Sequence, residues 1–332
     1  MVVISVKKVN VGVIGLGFIG KVHLRNCLRL QSVNVLAVAD TSKKALNYAK
    51  TFGVKQVFTD YHELLKLDGL DAVIISLPTH LHADCAISAM ELGRHVFLEK
   101  PLARNLREGQ EIISAARRSG VKFMVGYPLR FAQDFGNLRS LMESGVLGDI
   151  QIAHAVNIAS GPFMHRAEGT APRPIPEWWL NKELTGGGAL MDLGCHMINL
   201  LRWYLGDVSN IKARLGHRFN FDFEDHATCL LNFESGASAV VNVGWFSQST
   251  ALCVELFGTM TYAQANHSAS NKVTTAIKLI LGRTPKFFVP YLKELAHFVD
   301  YINGCNGENI LSGENALSDL DVIAKAYKNQ IK

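Results

Sequence analysis

A run of strand-forming residues, Val9-Asn10-Val11-Gly12-Val13-Ile14, leads straight into Gly15-Leu16-Gly17-Phe18-Ile19-Gly20, and helical periodicity follows from Phe18 to Leu30. Strand, glycine turn and helix in that order leave few options for the backbone. Gly15 permits the tight turn. Gly17 lets the main chain approach a ligand closely, and Gly20 lets the helix pack on the strand. The helix N-terminus then presents amide groups to phosphate. A second strand, Val33 to Ala39, ends at Asp40, twenty residues beyond Gly20. A carboxylate there accepts hydrogen bonds from an adenosine ribose and repels a 2′-phosphate. The pattern points to a bound dinucleotide, with NAD favoured. Thr41, Ser42, Lys43 and Lys44 are suited to holding a 2′-phosphate, so NADP stays open. The plainer alternative is a turn-forming glycine cluster with Asp40 capping the next helix.

Strands and helices go on alternating through the first part of the chain. Lys43 to Thr51 reads as helix and Gln56 to Phe58 as a short strand. Asp71 to Leu77 is a nearly continuous apolar strand, as expected where both faces are covered. His82 to Leu92 is helical, His95 to Leu98 strand, Leu106 to Ser119 helix and Val121 to Val125 strand. This order predicts a doubly wound parallel sheet with right-handed crossovers over residues 1–127. The pattern changes at residues 128–332. A helix spans Phe135 to Ser144, and a long Pro-, Gly- and Arg-rich stretch runs from Ser160 to Glu177. A helix from Ala189 to Leu205 follows three glycines. Strand-like runs cover Ile211 to Phe219, Ala227 to Phe233, Ala237 to Trp245 and Leu252 to Phe257. Helices at Tyr291 to Asn303 and Glu314 to Lys328 close the chain. The second part is therefore α+β with a mostly antiparallel sheet, and the last helices are candidates to pack back on the first domain. Ala227, Cys229, Leu231 and Phe233 share one face of that sheet, while Leu230 and Val240 point to the other. An apolar second face suits a second subunit, or cover by loop side chains.

The 332 residues carry 34 Lys and Arg against 29 Asp and Glu, a net charge of +5 spread along the chain. No basic stripe with interleaved aromatics marks a nucleic-acid face. No run of about twenty apolar residues suggests a membrane span. The first residues lack the order of a signal peptide. The six cysteines form no CxxC pair, which argues for free thiols, a cytoplasmic location and no zinc site.

Two further segments carry chemistry. Glu99-Lys100-Pro101 closes the strand His95-Val96-Phe97-Leu98, about eighty residues after the glycine loop, and sets an ammonium group at the carboxyl end of a parallel strand. Gly186-Gly187-Gly188-Ala189-Leu190-Met191-Asp192-Leu193-Gly194-Cys195-His196 places Asp192 and His196 four apart on one helix face. A carboxylate beside an imidazole raises its basicity and sets its orientation. Metal ligands use the same spacing, but no third ligand is evident. A local Asp–His pair on a solvated face is the alternative.

With these segments in hand, the chain resembles the glucose-fructose oxidoreductase/inositol dehydrogenase (Gfo/Idh/MocA) family. The matching stretches are Gly15-x-Gly17-x-x-Gly20, Pro78-Thr79-His80-x-His82-Ala83, Gly93 through Ala103 with its Glu99-Lys100-Pro101, and Gly187-Gly188-x-x-x-Asp192-x-Gly194-x-His196. Arg130-Phe131 and Gly145-x-x-Gly148 match as well. The resemblance implies an N-terminal Rossmann domain and a C-terminal α+β domain with an open-faced sheet. It implies a nicotinamide cofactor and a homodimer or homotetramer formed through that sheet. Lys100, Asp192 and His196 match the family's catalytic positions, and a cis Pro101 would aim Lys100. Gly15, Gly17, Phe18, Ile19, Gly20, Asp40, Leu77, Pro78, Thr79, His82, Glu99 and Lys100 fall at cofactor-binding positions. Tyr127, Arg130, Trp179, Lys100, Asp192 and His196 fall at substrate positions. Asn199 departs from the pattern, because many members carry Asp there.

The expected chemistry is hydride transfer to or from a secondary alcohol carbon of a sugar, an inositol-like polyol or a sugar derivative. His196 is the expected base, Asp192 its orienting partner and Lys100 the alkoxide stabiliser. His165, Arg166 and Arg173 in the long loop are suited to clamping an acidic group, and equally to an exposed basic loop. Trp178 and Trp179 offer a stacking wall or plain packing. Two other readings stay open: an NAD-responsive regulator without catalysis, and an enzyme that keeps its nicotinamide bound for transient oxidation.

Overall fold

A computed structural model describes residues 8–163, 176–247, 249–267, 288–305 and 311–331. The described residues form two compact units. The first draws on residues 1–103, 107–128 and 288–317, the second on 104–106, 129–287 and 318–332.

The first unit is built on a six-stranded sheet in the order β3-β2-β1-β4-β5-β6. Its strands are β1 (Val9–Ile14), β2 (Val33–Ala39), β3 (Gln56–Phe58), β4 (Ala72–Ile75), β5 (His95–Glu99) and β6 (Phe123–Gly126). Every pairing is parallel. The order reverses direction beside β1, and the crevice at the carboxyl ends of such strands is where ligands bind in this architecture. All four residues of β4 are buried, so the sheet is covered on both faces there. Crossover helices α1 (Phe18–Cys27), α2 (Lys43–Lys50), α3 (Tyr61–Leu65), α4 (His82–Glu91) and α5 (Leu106–Ser119) follow the strands. The short helix α3 lies in a stretch that sequence periodicity left unassigned, because five residues make barely more than one turn.

The second unit begins with α6 (Gln133–Glu143) and strand β7 (Ile150–Ile158). It continues through α7 (Lys182–Thr185), α8 (Cys195–Leu205), β8 (Val208–Gly216), β9 (His226–Phe233), β10 (Ser238–Gly244), β11 (Ala251–Gly258) and β12 (Tyr262–Asn266). The six strands stand in the order β12-β11-β7-β10-β9-β8. All neighbours are antiparallel except β7 and β10. Val241 lies opposite Cys229 and Val243 opposite Ala227, so their side chains share one buried face with Leu231 and Phe233. Helix α8 packs against β7. The other face stays open: Leu230 is 48% and Ile152 54% exposed. Strand β7, central to the sheet, was not marked by its apolar pattern, because His154 and Asn157 interrupt it.

After β12, helix α9 (Val289–Ile302) belongs to the first unit and packs against α1. Its Phe298 meets Phe97 edge-on, with ring centroids 5.7 Å apart. The Val125 amide donates to the Leu311 carbonyl at 3.1 Å. The last helix, α10 (Gly313–Lys328), gives its first turn to the first unit and its remainder to the second. Cys27, Cys85, Cys195 and Cys229 are buried free thiols; Cys253 is half-buried and Cys305 exposed. Among the described residues, no helix is long and apolar enough to cross a membrane.

Candidate active site

In the first unit the glycine loop separates into two kinds of glycine. A Cβ on Gly20 would overlap the Gly15 carbonyl, and Gly15 itself sits at φ +84° against the Ser76 carbonyl. Both are demanded by the fold. A Cβ on Gly17 would meet nothing within 4 Å. The protein's own packing gives no reason for glycine at position 17, whereas a pyrophosphate close to the main chain does. Helix α1 starts there with no side-chain cap and no acidic residue in its first turn, which leaves its leading amides for an anion. Phe18 is exposed and Ile19 half-buried beside this opening.

Asp40 ties the loop to β2. The Leu16 amide donates to its Oδ2 (2.6 Å) and the Ser42 amide to its Oδ1 (2.7 Å). The cap of α2 is Ser42, whose hydroxyl accepts from the Ala45 amide, so Asp40 does not serve as that helix cap. These features fit a dinucleotide with its adenosine ribose beside Asp40.

The other expected cofactor residues flank the carboxyl ends of β4 and β5. Leu77 and Pro78 are half-buried, and Thr79 is buried at the start of a 3₁₀ turn. His82 is buried, with Nε2 2.9 Å from the Leu77 carbonyl and Nδ1 2.9 Å from the Pro101 carbonyl. Burial holds this imidazole below its ordinary pKa, against the opposing pull of the two carbonyls and of Glu99. It acts as a strut between two loops. The Lys100–Pro101 peptide is cis. Glu99 is buried, with Oε1 2.6 Å from His23 Nε2, and its Oε2 accepts the Lys100 amide at 3.2 Å. Lys100 is half-buried and Tyr127 buried.

In the second unit Asp192 and His196 lie at the start of α8. The expected single helix from Ala189 is in fact a π-helical turn, Leu190–Gly194, that runs into the α-helix at Cys195. Such turns recur at functional sites. The Glu224 side chain secures its entry: the Gly188 and Leu190 amides donate to Oε1 at 3.0 and 2.9 Å, and the Tyr327 hydroxyl donates to the same atom at 2.9 Å. A Cβ on Gly188 would strike the Glu224 carbonyl, and one on Gly187 the Tyr327 hydroxyl. Close approach to this clamp accounts for the glycines. Burial pushes the Glu224 carboxyl above the usual range, opposed by the hydrogen bonds it receives.

Trp245 Nε1 donates to Asp192 Oδ2 at 3.2 Å, and Asn157 Nδ2 donates to the Leu193 carbonyl at 3.3 Å. Trp179 meets Trp245 edge-on at 6.4 Å and stacks on Trp178 at 6.1 Å. Both expected stacking residues thus join an aromatic group that reaches Asp192. Asp192 is half-buried and His196 buried.

Arg130 Nε donates to Asn199 Oδ1 (2.7 Å), and its Nη2 donates to the Asn199 carbonyl (3.1 Å). Asn199 Nδ2 in turn donates to Asp319 Oδ2 (2.6 Å), and Arg202 pairs with Asp319 Oδ1 (2.7 Å). This network explains why the chain departs from Asp at position 199. A second carboxylate there would face Asp319 at hydrogen-bond distance. His165, Arg166 and Arg173 lie outside the described residues.

Sequence reasoning passed over His23, Glu224, Trp245 and Asp319 as site residues. None belongs to a motif, and Trp245 stands out in the sequence only as the end of a strand-like run.

Comparison with known proteins agrees with this architecture. Residues 9–127 match the model of an oxidoreductase family with an NAD-binding Rossmann fold, and residues 135–263 match the Gfo/Idh/MocA C-terminal domain. The chain belongs to the Gfo/Idh/MocA oxidoreductase family. It is 29% identical over 330 residues to the uncharacterized oxidoreductase YrbE of Bacillus subtilis, covering 94% of this chain and 91% of that one. It is 28% identical over 243 residues to myo-inositol 2-dehydrogenase of Thermotoga maritima, covering 70% and 67%. A crystal structure of GenD2 from gentamicin A biosynthesis, in complex with NAD, superposes with a TM-score of 0.84 at 24% identity, covering 98% and 94%. The six parallel strands are the family's NAD-binding domain, and the protein is an NAD-dependent oxidoreductase. The regulator reading is set aside.

Proposed function

We propose that this oxidoreductase acts on a secondary alcohol of a sugar or polyol, in either direction, with NAD as its cofactor. The observation that carries the reading is the seat of Asp192. Its carboxylate is fixed by Trp245 in a π turn four residues before His196, with the Trp178–Trp179 stack joined to the same aromatic group. A proton-handling pair beside flat aromatic surface suits a hydroxylated ring. The relative that acts on myo-inositol supports the same substrate class.

NAD, when bound, supplies the hydride acceptor or donor. His196 takes the hydroxyl proton as general base, and Asp192 orients the imidazole and favours its protonated form. Lys100 donates a hydrogen bond to the developing alkoxide. Glu99 and the Leu77-Pro78-Thr79 loop serve the nicotinamide end, and Gly15, Gly17, Phe18, Ile19, Gly20 and Asp40 the adenosine end. Tyr127, Arg130 and Trp179 complete the substrate set, with Arg130 acting from its hold on Asn199.

A nicotinamide fluorescence screen over inositols, hexoses, amino sugars, uronates and nucleotide sugars, run with NAD and with NADP, tests the reading. Turnover of at least one polyol or sugar is expected. NAD binding with no turnover across the screen overturns the substrate class.

A further inference from the structure

His23, Glu99 and Glu294 bring one imidazole and two carboxyl groups together inside the first unit, with one atom of each within 4.8 Å of the others. They come from α1, β5 and α9, and all three are buried. Glu294 is fully buried, and neither of its carboxyl oxygens has a hydrogen-bond partner among the described residues. An ionised carboxylate in that position would lack both water and donors, which is strongly unfavourable. His23 also meets Phe97 and Tyr291 ring edges at 5.2 and 6.0 Å. Among the described residues, Tyr291 stands against His23, His82 senses Glu99 from α4, and the Lys100 amide is bound to Glu99 Oε2.

A metal ion is a poor fit. His23 Nε2 and Glu99 Oε1 are 2.6 Å apart. Two ligands of a tetrahedral site with bonds of ~2.0–2.1 Å stand about 3.3 Å apart. The shorter distance is that of a hydrogen bond, with a proton between the atoms.

We propose that Glu294 is a positioning residue that holds a proton: it remains a neutral carboxylic acid and, with His23, seats Glu99, the residue immediately before Lys100. Burial and the negative charge of Glu99 both raise the Glu294 pKa well above the usual carboxyl range. The effect on the Lys100 segment rests on the proposed function; the proton site does not.

The test is a set of melts of the apo protein from pH 5 to pH 9, wild type against Glu294→Gln. The folded-state pKa is raised, so the stability this group contributes is complete below its unfolded value of about 4.3 and is lost as pH rises toward the folded value. The wild-type Tm is expected to fall relative to the Gln variant by about 2 °C per pH unit above about pH 5. At pH 8 the variant should be at least as stable as the wild type. Parallel curves, or a variant less stable at every pH, overturn the proposal. If the Gln variant does not fold, Glu294→Met is measured in the same way. Failure of both overturns the proposal, because a neutral acid is replaceable by an amide or a thioether whereas an ion-paired carboxylate is not. One equivalent of zinc or magnesium whose removal by chelator lowers Tm also overturns it. NAD titration separates positioning from packing. Wild-type affinity should weaken at alkaline pH while the Gln variant stays flat; equal weakening in both overturns the seating of Glu99. If neither protein binds NAD, the functional reading fails and the melts still decide the proton site.

Discussion

His196 and Asn199 stand three residues apart in α8 and do different work. His196 is the proposed base, and His196→Ala should lower turnover by about two to four orders of magnitude with the circular dichroism spectrum unchanged, the usual range for general base catalysis. Turnover within twofold of wild type would remove it from the mechanism. Asn199 holds Arg130 and Asp319 in one buried network. Asn199→Asp sets two carboxylates against each other and should destabilise the protein by about 3 kcal/mol, as breaking a buried polar pair does. Denaturant titration reads that loss directly. His82 gives a pH-dependent counterpart. Its folded pKa is lowered, chiefly by burial, so its contribution is complete above the unfolded value of about 6.5 and is lost as pH falls through the folded value. Wild-type Tm should therefore drop relative to His82→Gln as pH is taken from 7 to 5.

The glycine turn before α1 and the glycines before α8 separate fold from function by the same test. Gly20 is enclosed by the Gly15 carbonyl, and Gly17 faces open space. Gly20→Ala should cost about 1–3 kcal/mol by overpacking. Gly17→Ala should leave Tm unchanged and weaken NAD binding by about tenfold or more, as measured by fluorescence titration; unchanged NAD affinity would separate Gly17 from the phosphate seat. At the other turn, Glu224→Ala orphans the Gly188 and Leu190 amides at the entry to the π segment. The expected loss is about 1–3 kcal/mol, accompanied by a fall in turnover, because Asp192 lies two residues beyond Leu190.

The open face of the second unit's sheet bears on the whole molecule. Leu230, Ile152, Phe257 and Tyr262 are all exposed there. Apolar side chains spread over one sheet face favour burial against a partner, and we propose that this face joins two or more copies of the chain. Sedimentation velocity should show a dimer or tetramer that Leu230→Glu together with Ile152→Glu dissociates, with the circular dichroism spectrum unchanged. A monomeric wild type at micromolar concentration would end the proposal.

Most of what is periodic was legible beforehand. The parallel sheet over the first 127 residues followed from strands of three to seven residues alternating with helices, and the expectation of a dinucleotide from three glycines and Asp40. Local spacing also marked Lys100, Asp192 and His196, because each belongs to a short motif. Polar interruptions hid β7 and the π turn hid inside a helical pattern, since neither changes apolar spacing enough to be read. What only the tertiary structure decided is how those motif residues are held. His23 meets Glu99 across 76 positions of chain, Trp245 meets Asp192 across 53, and Glu224 meets Gly188 across 36. The sequence by itself determined which backbone segments form and which chemical groups they carry, because backbone geometry responds to neighbours within a turn or a pleat. The partners that orient those groups were decided by packing, because burial forces each polar atom to find whichever donor or acceptor the fold brings near.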